Sequence, residues 1–387
     1  MNFSLPEAVV RDREAFKDFL DHSLAPNLPK WYRSQAIPPG FFQEIAEAGW
    51  LGFYSEDGEI KKHSALREAM IMETLAEVSS GMAVSALVVS DLGLIGLYLF
   101  GSDFLKKTYA AAALKGETLI CLGNTENIAG SDVAGIGLSC EEAEGGWVLN
   151  GTKSYVTNGS ISHLAVITAV SNPKAERNRR LSMFLVDLSQ PGVHRKKLNK
   201  QVWIPSDLTR LTLENVFVPH THLLGRPGNG LQQVLRIFAH SRVPISALTL
   251  GTAQGAFDKA LSHSCKRRIF NKKLVNFQAK AFEAADFHAR MEGARLMLQK
   301  ASLLMDAGGD FRMAASMAKY LAVQIAREVT IWSADIFGAA SVMYEHPIHK
   351  YAMDAWGASL GEGTQDVQKL VIFREMMQKK FGITPEI

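Results

Sequence analysis

The spacing of apolar positions along the chain changes twice. Residues 11–22, 40–47 and 64–78 carry apolar side chains at helical intervals, with Gly and Pro between the runs, and predict helices. Residues 84–100 are apolar almost throughout. Asp91 interrupts that run, and it falls short of the roughly 20 residues a membrane span needs, so it predicts a buried helix and no membrane span. No strand alternation shows in this first third. From near Gly116, β-branched and aromatic residues gather in short runs separated by Gly, Asn, Asp and Ser: Trp147-Val148-Leu149, then 164–170, 181–188 and 211–218. This β segment ends near Gly225-Arg226-Pro227-Gly228-Asn229-Gly230. Helical periodicity then returns, with Phe287, Met291, Ala294, Leu298, Ala301 and Met305 at alternating steps of four and three, and Ala314, Ala318, Leu321, Ile325, Val329 and Trp332 likewise.

The order predicts a multidomain α+β chain: an N-terminal helical domain over residues 1–115, a middle β-barrel or sandwich over 116–228, and a C-terminal four-helix bundle over 229–387. A length of 387 residues, 47% hydrophobic and 21% charged, suits two or three folded domains and excludes a disordered or fibrous chain. A net charge of +3 with only short basic runs argues against a nucleic-acid partner. Arg177, Arg179 and Arg180 read as a solvated loop. The three cysteines, Cys121, Cys140 and Cys265, form no CxxC pair, which excludes a disulfide framework and a zinc site and suits a reducing compartment. His346 and His349 have Pro347 between them and no acidic partners, so no metal site is predicted. The N-terminus lacks a basic start followed by an apolar run, and a cytoplasmic location is expected.

Four segments carry candidate chemistry. Asn124-Thr125-Glu126-Asn127-Ile128-Ala129-Gly130-Ser131-Asp132 is a Gly- and Ser-containing turn whose backbone N–H groups and hydroxyls can hold phosphate or ring heteroatoms. Asn150 to Asn158 places Tyr155 and Thr157 two residues apart, on one face of a strand; either segment also reads as an ordinary hairpin. Arg267 and Phe270 stand at i, i+3, which on a helix makes a surface charge and a core aromatic. Glu362 lies between Gly361 and Gly363, a setting for close backbone approach to a ligand and equally for a helix cap.

Together these segments resemble the acyl-CoA dehydrogenase family. Thr125, Glu126, Ala129, Gly130, Ser131 and Asp132 match its T-E-P-x-A-G-S-D signature, and Asn150, Gly151, Lys153, Thr157 and Asn158 its N-G-x-K-x-W-I-T-N. Arg267, Phe270 and Gln278 match R-x-x-F-G and a downstream Q, while Glu362-Gly363-Thr364 matches the catalytic E-G-T turn. The resemblance implies FAD as cofactor. Leu122, Asn124, Thr125, Gly130, Ser131, Tyr155, Val156 and Thr157 would hold it, with Tyr155 against the ring in place of the usual Trp and Thr157 at N5. Thr364 and Asp366 would also contact it. Arg267, Phe270, Gln278, Asp335, Gly338 and Ala339 would reach the FAD of a neighbouring subunit in a homotetramer or homodimer. Ser131, Ser241, Arg242 and Gly363 would serve the substrate.

The implied reaction is α,β-dehydrogenation of an acyl-CoA, with Glu362 as the base. The family's other base position falls on Ser241, which cannot serve. Burial beside flavin and acyl chain is expected to lift the Glu362 pKa above about 4.3. The implied partners are an acyl-CoA or acyl-carrier-protein thioester and an electron-transfer flavoprotein or other acceptor. Departures from the family pattern fall at Asn127-Ile128, Asn271, Asp335, Ala339 and Met353. Two further readings are a flavin monooxygenase on the same fold, which keeping Glu362 disfavours, and a cofactor-poor scaffold descended from the enzyme.

Overall fold

The computed structural model describes residues 4–38, 40–343 and 346–385. Its first third holds helices α1 (Glu7–Phe19), α2 (Leu28–Ser34) and α3 (Phe41–Glu47), a hairpin of β1 (Phe53–Glu56) and β2 (Glu59–Lys62), then α4 (Ala65–Val78), α5 (Ser80–Leu87), α6 (Ile95–Phe100) and α7 (Asp103–Leu114). Ser64 caps α4 by accepting from the Arg67 N–H at 3.2 Å, so that helix starts where its apolar periodicity does. The expected 84–100 helix lies within Ser80–Phe100, which passes through a π-helical stretch at Val88–Leu94; its most apolar window is 83% buried inside the protein.

The β1–β2 hairpin corrects the reading that the first third has no strands. Its strands are four residues long and mostly exposed, leaving no alternation to read. Only the turn was marked: Asp57 and Gly58 both take positive φ, 51° and 79°, as a tight two-residue hairpin requires.

The middle of the chain forms one eight-stranded sheet from β3 (Ile120–Gly123), β4 (Ser139–Ala143), β5 (Gly146–Thr157), β6 (Leu164–Val170), β7 (Leu181–Asp187), β8 (Val193–Lys197), β9 (Leu208–Pro219) and β10 (Leu223–Leu224). The order is β10-β7-β6-β4-β5-β9-β8, with β3 pairing parallel to β6. Residues along the whole of β6 are buried, which explains its unbroken apolar run, whereas β8 at the sheet edge is charged and exposed.

Four long helices follow: α8 (Gly230–Lys266), α9 (Gln278–Asp306), α10 (Arg312–Phe337) and, after the short α11 (His349–Gly357), α12 (Gln365–Phe381). A two-residue-per-strand hairpin, β11 (Arg268–Ile269) and β12 (Lys272–Lys273), joins α8 to α9. Met291, Ala294, Leu298 and Ala301 on α9, and Ala314, Ala318, Ile325, Val329 and Trp332 on α10, are buried as their spacing implied. Helix α10 packs on α8, α9 and α12, and α4 packs on α8, so one apolar core runs from the N-terminal helices through the sheet into the bundle.

Candidate active site

The two signature segments in the sheet are brought together by a buried ion pair. Lys153 on β5 is 0% exposed, and its Nζ donates to Glu126 Oε1 at 2.7 Å and to the Asn124 carbonyl at 3.1 Å. The Glu126 carboxylate also accepts the backbone N–H groups of Gly137 and Leu138 at 2.9 and 3.0 Å. Burial pushes the Glu126 pKa up, but Lys153 and those N–H groups outweigh it and hold the carboxyl below its ordinary value. Burial draws Lys153 down to about 8. The Ser154 N–H donates to the Thr125 carbonyl at 2.7 Å and Ser154 Oγ to Asn127 Oδ1 at 2.8 Å, completing the clamp.

That clamp presents Thr125 half-buried and Gly130 and Ser131 exposed, with Leu122, Asn124 and Val156 buried beneath. Asn127-Ile128, where the family has Pro-Gly, still closes a tight turn: Glu126 and Ala129 exchange both backbone hydrogen bonds, at 3.0 and 3.2 Å. Arg177 is not merely solvated, because it pairs with Asp132 of this loop at 2.5 Å. Tyr155 sits at a bulge of β5 between Lys153 and Val156, with φ 58° and its ring 59% exposed. The bulge breaks simple alternation, since Lys153 and Ser154 are buried in succession, but Tyr155 and the half-buried Thr157 still face away from Val156. These features fit a planar cofactor. An outward aromatic face stands at the edge of a loop where a Cβ added to Gly130 would meet nothing within 4 Å.

Glu362 lies in the turn between α11 and α12. It is not a helix cap; Thr364 caps α12, its Oγ accepting the Val367 N–H at 3.4 Å. Glu362 itself adopts φ 48° and Gly363 φ 90°. Gly363 is therefore needed for its backbone conformation, whereas a Cβ on Gly361 would come only to 3.8 Å from Trp203, an ordinary contact. Among the described residues nothing hydrogen-bonds the Glu362 carboxylate. Loss of water around it raises its pKa, and Lys319 and Arg242 partly pull it back.

Arg242, inside α8, is 7% exposed; burial lowers its pKa to about 10 and Glu362 opposes this. Its Nε is buried without a hydrogen-bond partner. Ser241 is fully buried and donates to the Phe238 carbonyl at 3.3 Å, so it is a helix-interior hydroxyl, not a base. Asp366 is exposed and paired with Lys369 at 3.0 Å.

The reading of Arg267 and Phe270 on a helix is overturned. Helix α8 ends at Lys266, and Phe270-Asn271 is the tip of the β11–β12 hairpin, with φ 45° and 62°. Phe270 is 87% exposed rather than core. Asn271 in place of Gly is explained by this geometry, because Asn enters the left-handed region with little penalty. Arg267, Gln278, Asp335, Gly338 and Ala339 are also exposed, and none of the described contacts links this group to Thr125, Tyr155 or Glu362. At Met353-Asp354-Ala355, the informative residue is Asp354, buried with Oδ1 accepting the Trp203 N–H at 2.5 Å and Oδ2 the Lys350 Nζ at 2.7 Å.

Three side chains around Glu362 were missed in the sequence: Lys319, Gln368 and Trp203. Lys319 carried a signal, being a charge in the small-residue stripe Ala315, Ala322 and Ala326 of α10. Gln368 lies at helical spacing from nothing unusual. Trp203 comes from a distant loop.

Comparison with known proteins follows the domain order. Residues 10–117, 121–216 and 228–377 match the N-terminal, middle and C-terminal domains of acyl-CoA dehydrogenase. A Bacillus subtilis protein named probable acyl-CoA dehydrogenase is 30% identical over 98% of this chain and 100% of its own. The rat mitochondrial short-chain specific acyl-CoA dehydrogenase is 28% identical over 97% of this chain and 91% of its own. The solved structure of butyryl-CoA dehydrogenase from Megasphaera elsdenii superposes with a TM-score of 0.92 at 27% identity, covering 97% of this chain and 100% of that one.

Proposed function

The chain belongs to the acyl-CoA dehydrogenase family of flavin oxidoreductases, and from that premise we propose that it binds FAD and removes hydrogen from the α- and β-carbons of an acyl-CoA thioester. Bound FAD would supply the acceptor for the β-hydride. The chain's own residues do the rest. Glu362 takes the α-proton: among the described residues its carboxylate has no hydrogen-bond partner, burial raises its affinity for the proton, and two cations keep that rise in check. Arg242, buried with an unpartnered Nε, is offered to the substrate side of the same turn. Thr125, Gly130, Ser131, Tyr155, Val156 and Thr157 would hold the cofactor, on the clamp built by Lys153 and Glu126.

The free Glu362 carboxylate is the observation that carries this reading. The exposure of Arg267, Phe270, Gln278, Asp335, Gly338 and Ala339 supports a homo-oligomer in which they serve a neighbouring subunit's FAD. The proposed electron acceptor is an electron-transfer flavoprotein. The test is anaerobic bleaching of the flavin of the FAD-loaded protein by a panel of acyl-CoA and acyl-carrier-protein thioesters. Bleaching by CoA thioesters is expected; bleaching by carrier-protein thioesters alone would replace the CoA reading, and none by either would sink it.

A further inference from the structure

Lys319 takes no part in the proton transfer described above, yet it is 0% exposed beside the proposed base. A lysine so deep is costly unless its ammonium is hydrogen-bonded. Its Nζ donates to two carbonyls, those of Gly361 and Gly363, one on each side of Glu362. Gln368, also fully buried, donates through Nε2 to the carbonyls of Glu362 at 3.1 Å and Gly363 at 2.9 Å. The three consecutive carbonyls of Gly361, Glu362 and Gly363 are thus held from the α10 and α12 side, while the carboxylate is left free. Glu362 needs such restraint, because its left-handed φ of 48° is one that an L-residue adopts only under strain.

The geometry points to Lys319 as the positioning residue of Glu362, holding the base's turn by its flanking carbonyls and setting a positive charge beside a carboxylate it does not bind. This rests on Glu362 being the base. Other charges near the turn are spoken for: Asp354 of α11 is bound to Lys350, Asp366 of α12 to Lys369, and Lys200 donates to the Trp203 carbonyl and Ser206 Oγ. Arg242 of α8 and Lys319 of α10 are the two cations acting on Glu362. Without Lys319, only Arg242 opposes the loss of water, and the base would hold its proton to higher pH.

The experiment compares the FAD-loaded wild type with Lys319→Met and Lys319→Gln, following anaerobic flavin bleaching by an acyl-CoA against pH, alongside amide hydrogen exchange of residues 360–364. In both variants the rising limb of the pH profile should move up by about one unit, a roughly tenfold loss below the limb that is recovered above it, and the 360–364 amides should exchange faster. An unmoved limb overturns the inference whatever the exchange does. Glu362→Gln run in parallel separates the two ideas: undiminished bleaching there defeats the base itself, whereas its loss together with an unmoved Lys319 limb defeats only Lys319. Should neither Lys319 variant fold, the unaltered chain decides. Protection of these amides, corrected for intrinsic rate, should fall as pH passes the Lys319 value of about 8, and a flat profile overturns the inference.

Discussion

Lys153 and Lys319 are both fully buried with a glutamate beside each, and the molecule treats them in opposite ways. Lys153 binds the Glu126 carboxylate directly at 2.7 Å, and two backbone N–H groups donate to it as well, so both of its oxygens are hydrogen-bonded. Lys319 bypasses the Glu362 carboxylate and binds the carbonyls around it. The first arrangement holds the Glu126 carboxyl below its usual pKa and binds both of its oxygens in place. Around Glu362 the loss of water raises the pKa, Lys319 offsets that only in part, and the carboxylate oxygens stay open. A buried Lys–Glu neighbourhood is therefore a strut where both carboxylate oxygens are bound, and leaves the carboxylate open to a ligand where neither is.

The largest test of this contrast is kinetic. Glu362→Gln, retaining its flavin, should lower the bleaching rate by about 10²–10⁴-fold, the range of a lost general base, whereas Glu126→Gln in a folded, flavin-loaded protein should stay far closer to wild type. Equal losses would erase the distinction. Next comes stability: Lys153→Met leaves Glu126 buried without its cation and should cost about 3–5 kcal/mol in denaturant unfolding. A loss below about 1 kcal/mol would make the pair dispensable.

A smaller effect lies in acid. Because the folded pKa of Glu126 is depressed, its stabilisation is present above the unfolded value of about 4.3 and is lost as pH falls through the folded one. The stability gap between wild type and Glu126→Gln should close there, and a constant gap would remove the electrostatic explanation. Smallest is the stability of Glu362→Gln. A raised carboxylate pKa means that ionisation opposes folding above the unfolded value, so at neutral pH this variant should unfold no more easily than wild type, with a slight gain that shrinks in acid.

Much of the site could be read along the chain because it is local chemistry. Thr125 to Asp132 and Asn150 to Asn158 are turn and strand segments whose function needs particular residues in order, and Glu362-Gly363 requires a glycine at φ 90°. Phe270 was misplaced because i, i+3 spacing next to a long helix looks helical. Asn271, tolerant of positive φ, was the sign of a hairpin tip instead. The β1–β2 hairpin left only Asp57-Gly58 as a trace, since its strands bury too little to impose a pattern.

From the sequence alone came the types and order of the elements, set by apolar period and turn residues, and the identity of the carboxylate that could act as base. Only the tertiary structure decided what that carboxylate experiences. Arg242, Lys319 and Glu362 belong to α8, α10 and the turn before α12, and a pKa answers to burial and to charges within a few ångströms in space. Distance along the chain carries no such information, so the free carboxylate and the lysine beneath its turn became visible only once the helices were packed.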